Sequence, residues 1–185
     1  MEEKYTEFLK QGKINEDIAA RAIEEAYGGI VTPATEEVDM KCHTDLLWLT
    51  PKGVLCSIDK KKRKKIGRRD EAFNDNYTWI ELLDNAGNAG SSVCQGQKLR
   101  DMGFDVEDKN DYLMLETSDE YLFVRRSELN PFVWSLVEGK ETVHENPRVP
   151  NVPYQRKGRR DLIVLVRMDD IRKITRFKIK KTHAD

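Results

Sequence analysis

The stretch that most constrains the fold runs from Asp45 to Lys61. Two apolar-rich runs, Asp45-Leu-Leu-Trp-Leu-Thr50 and Val54-Leu-Cys-Ser-Ile-Asp-Lys-Lys61, are separated only by Pro51-Lys52-Gly53. So short a connection predicts a hairpin. Proline presets the first turn position and glycine takes the left-handed one. The turn also fixes the register. If Thr50 pairs with Val54, each step back along the first strand meets one step forward along the second, and Asp45 lies opposite Asp59.

That register groups three chemical functions. Residues two apart on a strand face the same side, so Asp59 and Lys61 project together and Asp45 lies alongside. Two neighbouring carboxylates repel unless a cation sits between them. All-oxygen donors suit hard Mg²⁺ or Mn²⁺ rather than zinc. A lysine beside them can orient water and offset developing phosphate charge. Asp-x-Lys is also a common surface triplet, and spacing alone leaves both readings open.

The rest of the chain reads as α/β. Apolar residues at Ile14, Ile18, Ala19, Ala22, Ile23 and Ala26 predict a helix over 14–27, ended by Gly28-Gly29. Residues 30–32 read as a short strand, followed by a loop to Asp39. Strands are expected at Tyr77–Leu83, Asp111–Glu116, Glu120–Arg126, Leu162–Arg167 and, at an edge, Thr175–Lys180. A short helix fits 93–103. Another fits Glu128–Glu138, with Pro131 near its start, and Asp169-Asp170 can cap a helical turn. Residues 62–76 and 85–92 read as loops, and 139–153 as an extended crossing loop. At 185 residues, one domain over 1–185 is expected, with a central mixed sheet of four to six strands flanked by helices.

Composition narrows the function classes. Thirty-five per cent of the residues are charged, yet 32 Lys+Arg nearly cancel 33 Asp+Glu. The longest purely apolar run, Leu162 to Val166, is far too short to cross a bilayer. The polar start Met1-Glu2-Glu3-Lys4 does not read as a secretory signal. Cys42, Cys56 and Cys94 form no C-x-x-C pair, which argues against a zinc ribbon or disulfide scaffold. A reducing cytoplasm is the expected compartment. The charges fall in blocks: nine bases and one acid at 52–69, eleven bases and three acids at 155–181, eight acids and one base at 101–120. Two basic blocks around one site would favour a nucleic-acid partner. The acidic block reads as solvated surface or insertion.

With its order of motifs, the chain resembles the PD-(D/E)xK nuclease superfamily, and more closely its small phage-encoded members. The resemblance rests on Lys13-Ile-Asn-Glu16-Asp-Ile-Ala19, Thr44-Asp-Leu-Leu-Trp48, Ser57-Ile-Asp-Lys-Lys61, Tyr77-Thr-Trp-Ile-Glu-Leu82 and Tyr154-Gln-Arg-Lys-Gly-Arg-Arg-Asp161 followed by Leu-Ile-Val-Leu-Val166. It implies a restriction-endonuclease-like fold and Mg²⁺- or Mn²⁺-dependent hydrolysis of DNA phosphodiesters. Asp45 and Asp59 would bind the metal and Lys61 would serve the water. Glu16 would be a helix carboxylate approaching the cluster, and Glu81 would contact the metal or its water. The Lys60 carbonyl would be another ligand, with the Lys60 side chain on the opposite face. A host cytoplasm is implied for a phage-encoded chain, and a homodimer for an enzyme cutting two strands. Thr44 stands where the superfamily's naming proline would be. Ser91 to Gly96 replaces the usual aromatic Gly-Trp turn, with an apparent insertion to about Asp108.

Lys60, Lys62, Arg63, Lys64, Lys65, Arg68 and Arg69 would then contact nucleic-acid phosphates, since backbone neutralisation dominates such affinity. Arg156, Lys157, Arg159 and Arg160 would do the same. A solvated loop is the competing reading of each run, equal in weight for the second, and the first is also a formal match to an import signal. Trp48, Trp79 and Trp134 read as core rather than stacking platforms. Adjacent Cys42 and His43 should point opposite ways and so not act as a nucleophile pair. The rival functional reading is a non-catalytic nucleic-acid-binding or phage structural protein on the same fold.

Overall fold

The hairpin is the spine of the main sheet. The computed structural model describes residues 2–63, 72–84 and 96–181. The long helix α1 (Glu2–Tyr27) is followed by β1 (Ile30–Pro33), α2 (Glu36–Cys42), β2 (Leu46–Leu49) and β3 (Leu55–Lys61). Then come β4 (Tyr77–Leu83), α3 (Gly96–Asp101), β5 (Asp111–Glu116), β6 (Glu120–Arg125) and α4 (Arg126–Val137). The chain closes with β7 (Pro153–Gln155), β8 (Leu162–Arg167), α5 (Met168–Ile174) and β9 (Thr175–Lys180).

Six strands form a mixed sheet in the order β1-β2-β3-β5-β6-β9. Leu46 pairs with Ile58 and Leu49 with Leu55, the register the three-residue turn predicts, and Thr50 N–H donates to the Val54 carbonyl at 2.9 Å. β5 runs parallel to β3 on its other side, with Leu113 beside Asp59 and Leu115 beside Lys61.

The alternation along β3 and β5 divides the interior. Ile58, Tyr112 and Met114 face α1 and pack with Ala19, Ala20, Ile23, Leu46 and Trp48. Leu113 and Leu115 face the other way, onto Leu129 and Val133 of α4 and onto Ile80, Leu82, Val164 and Val166. Burial of these side chains is the main stabilising term.

The six-stranded mixed sheet with flanking helices is as expected, and the structure adds a second sheet to it. β4, β8 and β7 form a separate three-stranded sheet packed over that second face through Ile80 and Leu82. A strand that buries alternate residues against a sheet face cannot also extend that sheet's edge. α2 also replaces the loop expected before Asp39. Its signal was local: Thr35 caps the helix through the Val38 N–H, and Glu36, Glu37 and Asp39 occupy its first turn. Trp48 is core, Trp79 is half-buried against Tyr154, and Trp134 is 40% exposed, so it is not a core residue. No helix among the described residues is long and apolar enough to cross a membrane.

Candidate metal centre and its charged surroundings

Asp45 sits just ahead of β2, and β3 holds it directly. Its N–H donates to the Ile58 carbonyl at 2.9 Å, and its Oδ2 accepts from the Lys60 N–H at 2.5 Å. Asp59 lies across the hairpin. Burial and the negative charge of Asp59 push the Asp45 carboxyl up to about 7, against the opposing pull of the Lys60 N–H and of Lys61. Lys61 Nζ stands 2.7 Å from Asp59 Oδ2, at ion-pair distance but without hydrogen-bond alignment. The structure thus brings Asp45, Asp59 and Lys61 together. It does not leave all three open: Asp59 is only 2% exposed, while Asp45 and Lys61 are half-buried.

The other expected carboxylates lie on other elements. Glu16 is on α1, the helix covering the Ile58 face, and its charged surroundings are Asp39, Lys62 and Lys60. Burial, then Asp39, raises its carboxyl, while the two lysines lower it. Glu16 thus neighbours Lys60 and Lys62, and it shares Asp39 with the Asp45–Asp59–Lys61 group. Glu81 is on β4, in the small sheet. Its neighbours Ile80 and Leu82 point to the main sheet, so Glu81 points away from the face that carries Asp59.

The basic residues also divide. Lys60 does face away from Asp59, as alternation requires, but its side chain is 2% exposed and its Nζ is 3.0 Å from Glu116 Oε2. That ammonium is committed inside the fold and is not presented to a phosphate. Arg63 makes a two-pronged contact with Asp75, at 2.7 and 2.9 Å. Lys62 is exposed. Lys64, Lys65, Arg68 and Arg69 lie outside the described residues. Arg156 is bonded to the fully buried Asp161, while Lys157, Arg159 and Arg160 are exposed.

Among the described residues, the two basic segments do not flank one site. A cleft brings Lys61, Lys62 and Arg63 against Tyr77 and Thr78, at the start of β4. Arg156–Arg160 follows β7 and precedes Leu162, which pairs with Leu83 at the other end of β4. A seven-residue strand spans roughly 20 Å, so the small sheet separates them.

Four residues of the site were not anticipated. Asp39, on α2, is raised by burial and then by Asp59, with His43 and Lys61 opposing. His43 ends α2 in a left-handed conformation, φ 48°. Burial and then Lys61 lower its imidazole, against Asp59. Arg126 and Asp111 are both completely buried. Arg126 Nε lies 3.3 Å from Asp111 Oδ1, and Nη2 lies 3.7 Å from Asp59 Oδ2. The same Nη2 donates to the His43 carbonyl at 2.7 Å. Ser57 Oγ donates to Asp111 Oδ1 at 2.7 Å. Asp111 comes from the block expected to be solvated, and it is the anchor of a buried ionic network instead.

Among the described residues, no three His, Cys, Asp or Glu side chains stand at metal-holding separation. The chain matches no protein-family model, no curated protein and no solved structure.

Proposed function

We propose that this chain is a metal-dependent nuclease of PD-(D/E)xK type that hydrolyses DNA phosphodiesters. The observation carrying the reading is the hairpin itself. It sets two aspartates opposite each other and a lysine 2.7 Å from one of them. The mixed order around β3, antiparallel β2 on one side and parallel β5 on the other, supports a restriction-endonuclease-like fold.

The donor set fits a hard divalent cation. The charge of Asp59 disfavours ionisation of Asp45, and Mg²⁺ is commonly held by one or two carboxylates with water and substrate phosphate completing its shell. Asp45 and Asp59 would hold it. When bound, the metal would activate water and polarise the phosphodiester. Lys61, ion-paired with Asp59, carries three ammonium protons, and these orient the attacking water or meet the phosphate. Lys62, exposed next to Lys61, neutralises a neighbouring phosphate.

Labelled linear, nicked, branched and single-stranded DNA should be incubated with the protein and Mg²⁺, Mn²⁺ or chelator. Cleavage should require metal and be lost in Asp45→Ala and Lys61→Ala. Wild-type rates in both variants would overturn the assignment.

A second reading is favoured by the burial of Asp59 between Lys61 and Arg126, which already balance its charge. On it, the chain binds nucleic acid without turnover. The same incubation separates the two: binding that is indifferent to metal, with no nick, selects the non-catalytic module.

A further inference from the structure

The Arg126 guanidinium touches both arms of the candidate site, and the nuclease reading has not used it. It is the first residue of α4, where the helix's unsatisfied N–H groups disfavour a cation. It is also 0% exposed. Something must offset both penalties. The fork meets Asp111 on β5 at 3.3 Å and Asp59 on β3 at 3.7 Å, and donates at 2.7 Å to the carbonyl of His43. His43 lies two residues before Asp45. Asp111 is in turn fixed by Ser57, on the same strand as Asp59.

Three backbone segments therefore converge on one planar group: the approach to Asp45, the strand of Asp59, and the neighbouring parallel strand. The contact to the His43 carbonyl is a hydrogen bond and those to Asp111 and Asp59 are ion pairs; a lysine has the charge but not the planar fork that reaches all three. Asp59 and the turn delivering Asp45 cannot shift independently while that group is in place.

We propose that Arg126 is a positioning residue that sets the spacing of Asp45 and Asp59 for divalent-metal binding, acting through the His43 carbonyl and Asp59, with Asp111 as its anchor. This rests on the metal-dependent reading above. The expectation is specific. Arg126→Lys keeps the charge and loses the geometry, so metal affinity should fall by roughly 10- to 100-fold, as for other groups that orient metal ligands. The turnover number should fall with it, while KM for DNA stays nearly unchanged, because no DNA contact is removed.

The first test needs no substitution. In ¹⁵N-labelled wild-type protein, Mg²⁺ is titrated while the Nε–H resonance of Arg126 and the backbone amides of residues 45 and 59–61 are followed. The Arg126 resonance should shift with the same saturation curve as the hairpin amides. Amides that respond while Arg126 stays still would overturn the positioning role and leave the metal site standing. If neither responds at millimolar Mg²⁺ or on Mn²⁺ substitution, the metal reading itself fails, and this inference with it. The second test is Mn²⁺ affinity of Arg126→Lys, with folding checked by circular dichroism. Wild-type affinity in the folded variant would reduce Arg126 to a purely structural ion-pair partner. If that variant does not fold, the wild-type titration decides.

Discussion

The Lys60 N–H donates to Asp45 Oδ2, so the strand carrying Asp59 and Lys61 also grips the carboxylate opposite. One oxygen of Asp45 is thus held by backbone, while the Lys60 side chain is used on the other face of the sheet. A β-strand can serve two purposes in this way because its peptide groups lie in the sheet plane and its side chains leave it on alternating sides.

Asp45→Asn should change stability in a pH-dependent way. The folded carboxyl titrates at about 7, above its ordinary range, so the folded chain binds the proton more tightly than the unfolded one. Stability from this group is full below pH 4 and declines as pH rises through 7, by at most about 1.4 kcal/mol per pH unit. Asparagine mimics the protonated form and still accepts from the Lys60 N–H. Urea melts without metal should show a variant only modestly more stable at pH 5 and considerably more stable at pH 8. A variant equally destabilised at both would refute the burial argument.

Divalent metal should reverse that penalty. At pH 8, Mg²⁺ or Mn²⁺ at one hundred times its dissociation constant should stabilise the wild type by about 2.7 kcal/mol, read as a rise in Tm. Asp45→Asn should lose most of the rise. Equal rises in both proteins would locate the binding elsewhere.

Adjacent lysines should separate by function. Lys62→Ala should weaken duplex DNA binding and lower the salt slope by about one. Lys60→Met should leave the slope unchanged, because its ammonium is engaged by Glu116. It should instead cost about 1–3 kcal/mol of stability. Anisotropy titrations across salt concentrations, alongside urea melts, make the comparison. A slope change in Lys60→Met would show that this side chain reaches the nucleic acid.

The Asp45–Asp59–Lys61 grouping was legible because a three-residue turn between apolar runs leaves one register. The strands at Tyr77–Leu83, Asp111–Glu116 and Leu162–Arg167 were legible from their apolar runs, but not their partners. Which strands pair depends on which faces are buried together, and Ile80 meets Leu113 only in three dimensions. Arg126 was hidden for a similar reason: no local pattern distinguishes a buried arginine from an exposed one, and its acceptors lie at residues 43, 59 and 111. Helix periodicity gave the face that Glu16 occupies, but not the side of the sheet on which the helix lands. Asp39 could have been found, since Thr35 with three following acids marks a helix start that carries it towards Asp45.

The placement of α1 against the hairpin gives a sharp test of the fold. Gly29 has φ 89°, and a Cβ there would collide with the Leu49 carbonyl oxygen and stand 2.9 Å from Trp48 Nε1. Trp48 Nε1 donates to the Gly28 carbonyl at 2.9 Å, so the helix end and β2 are locked at that point. Gly29→Ala combines backbone strain with a clash against backbone, a cost on the order of 3 kcal/mol. That corresponds to a Tm lowered by roughly 6–12 °C in a chain of this size. Gly53→Ala is the control. Gly53 has φ 75°, but a methyl group added there would meet no atom within 4 Å, so only strain of about 1 kcal/mol remains. Thermal melts of the two variants should differ by several degrees. Equal melting would mean that the Gly28–Gly29 corner does not bear on Leu49 and that α1 is not fixed by this contact.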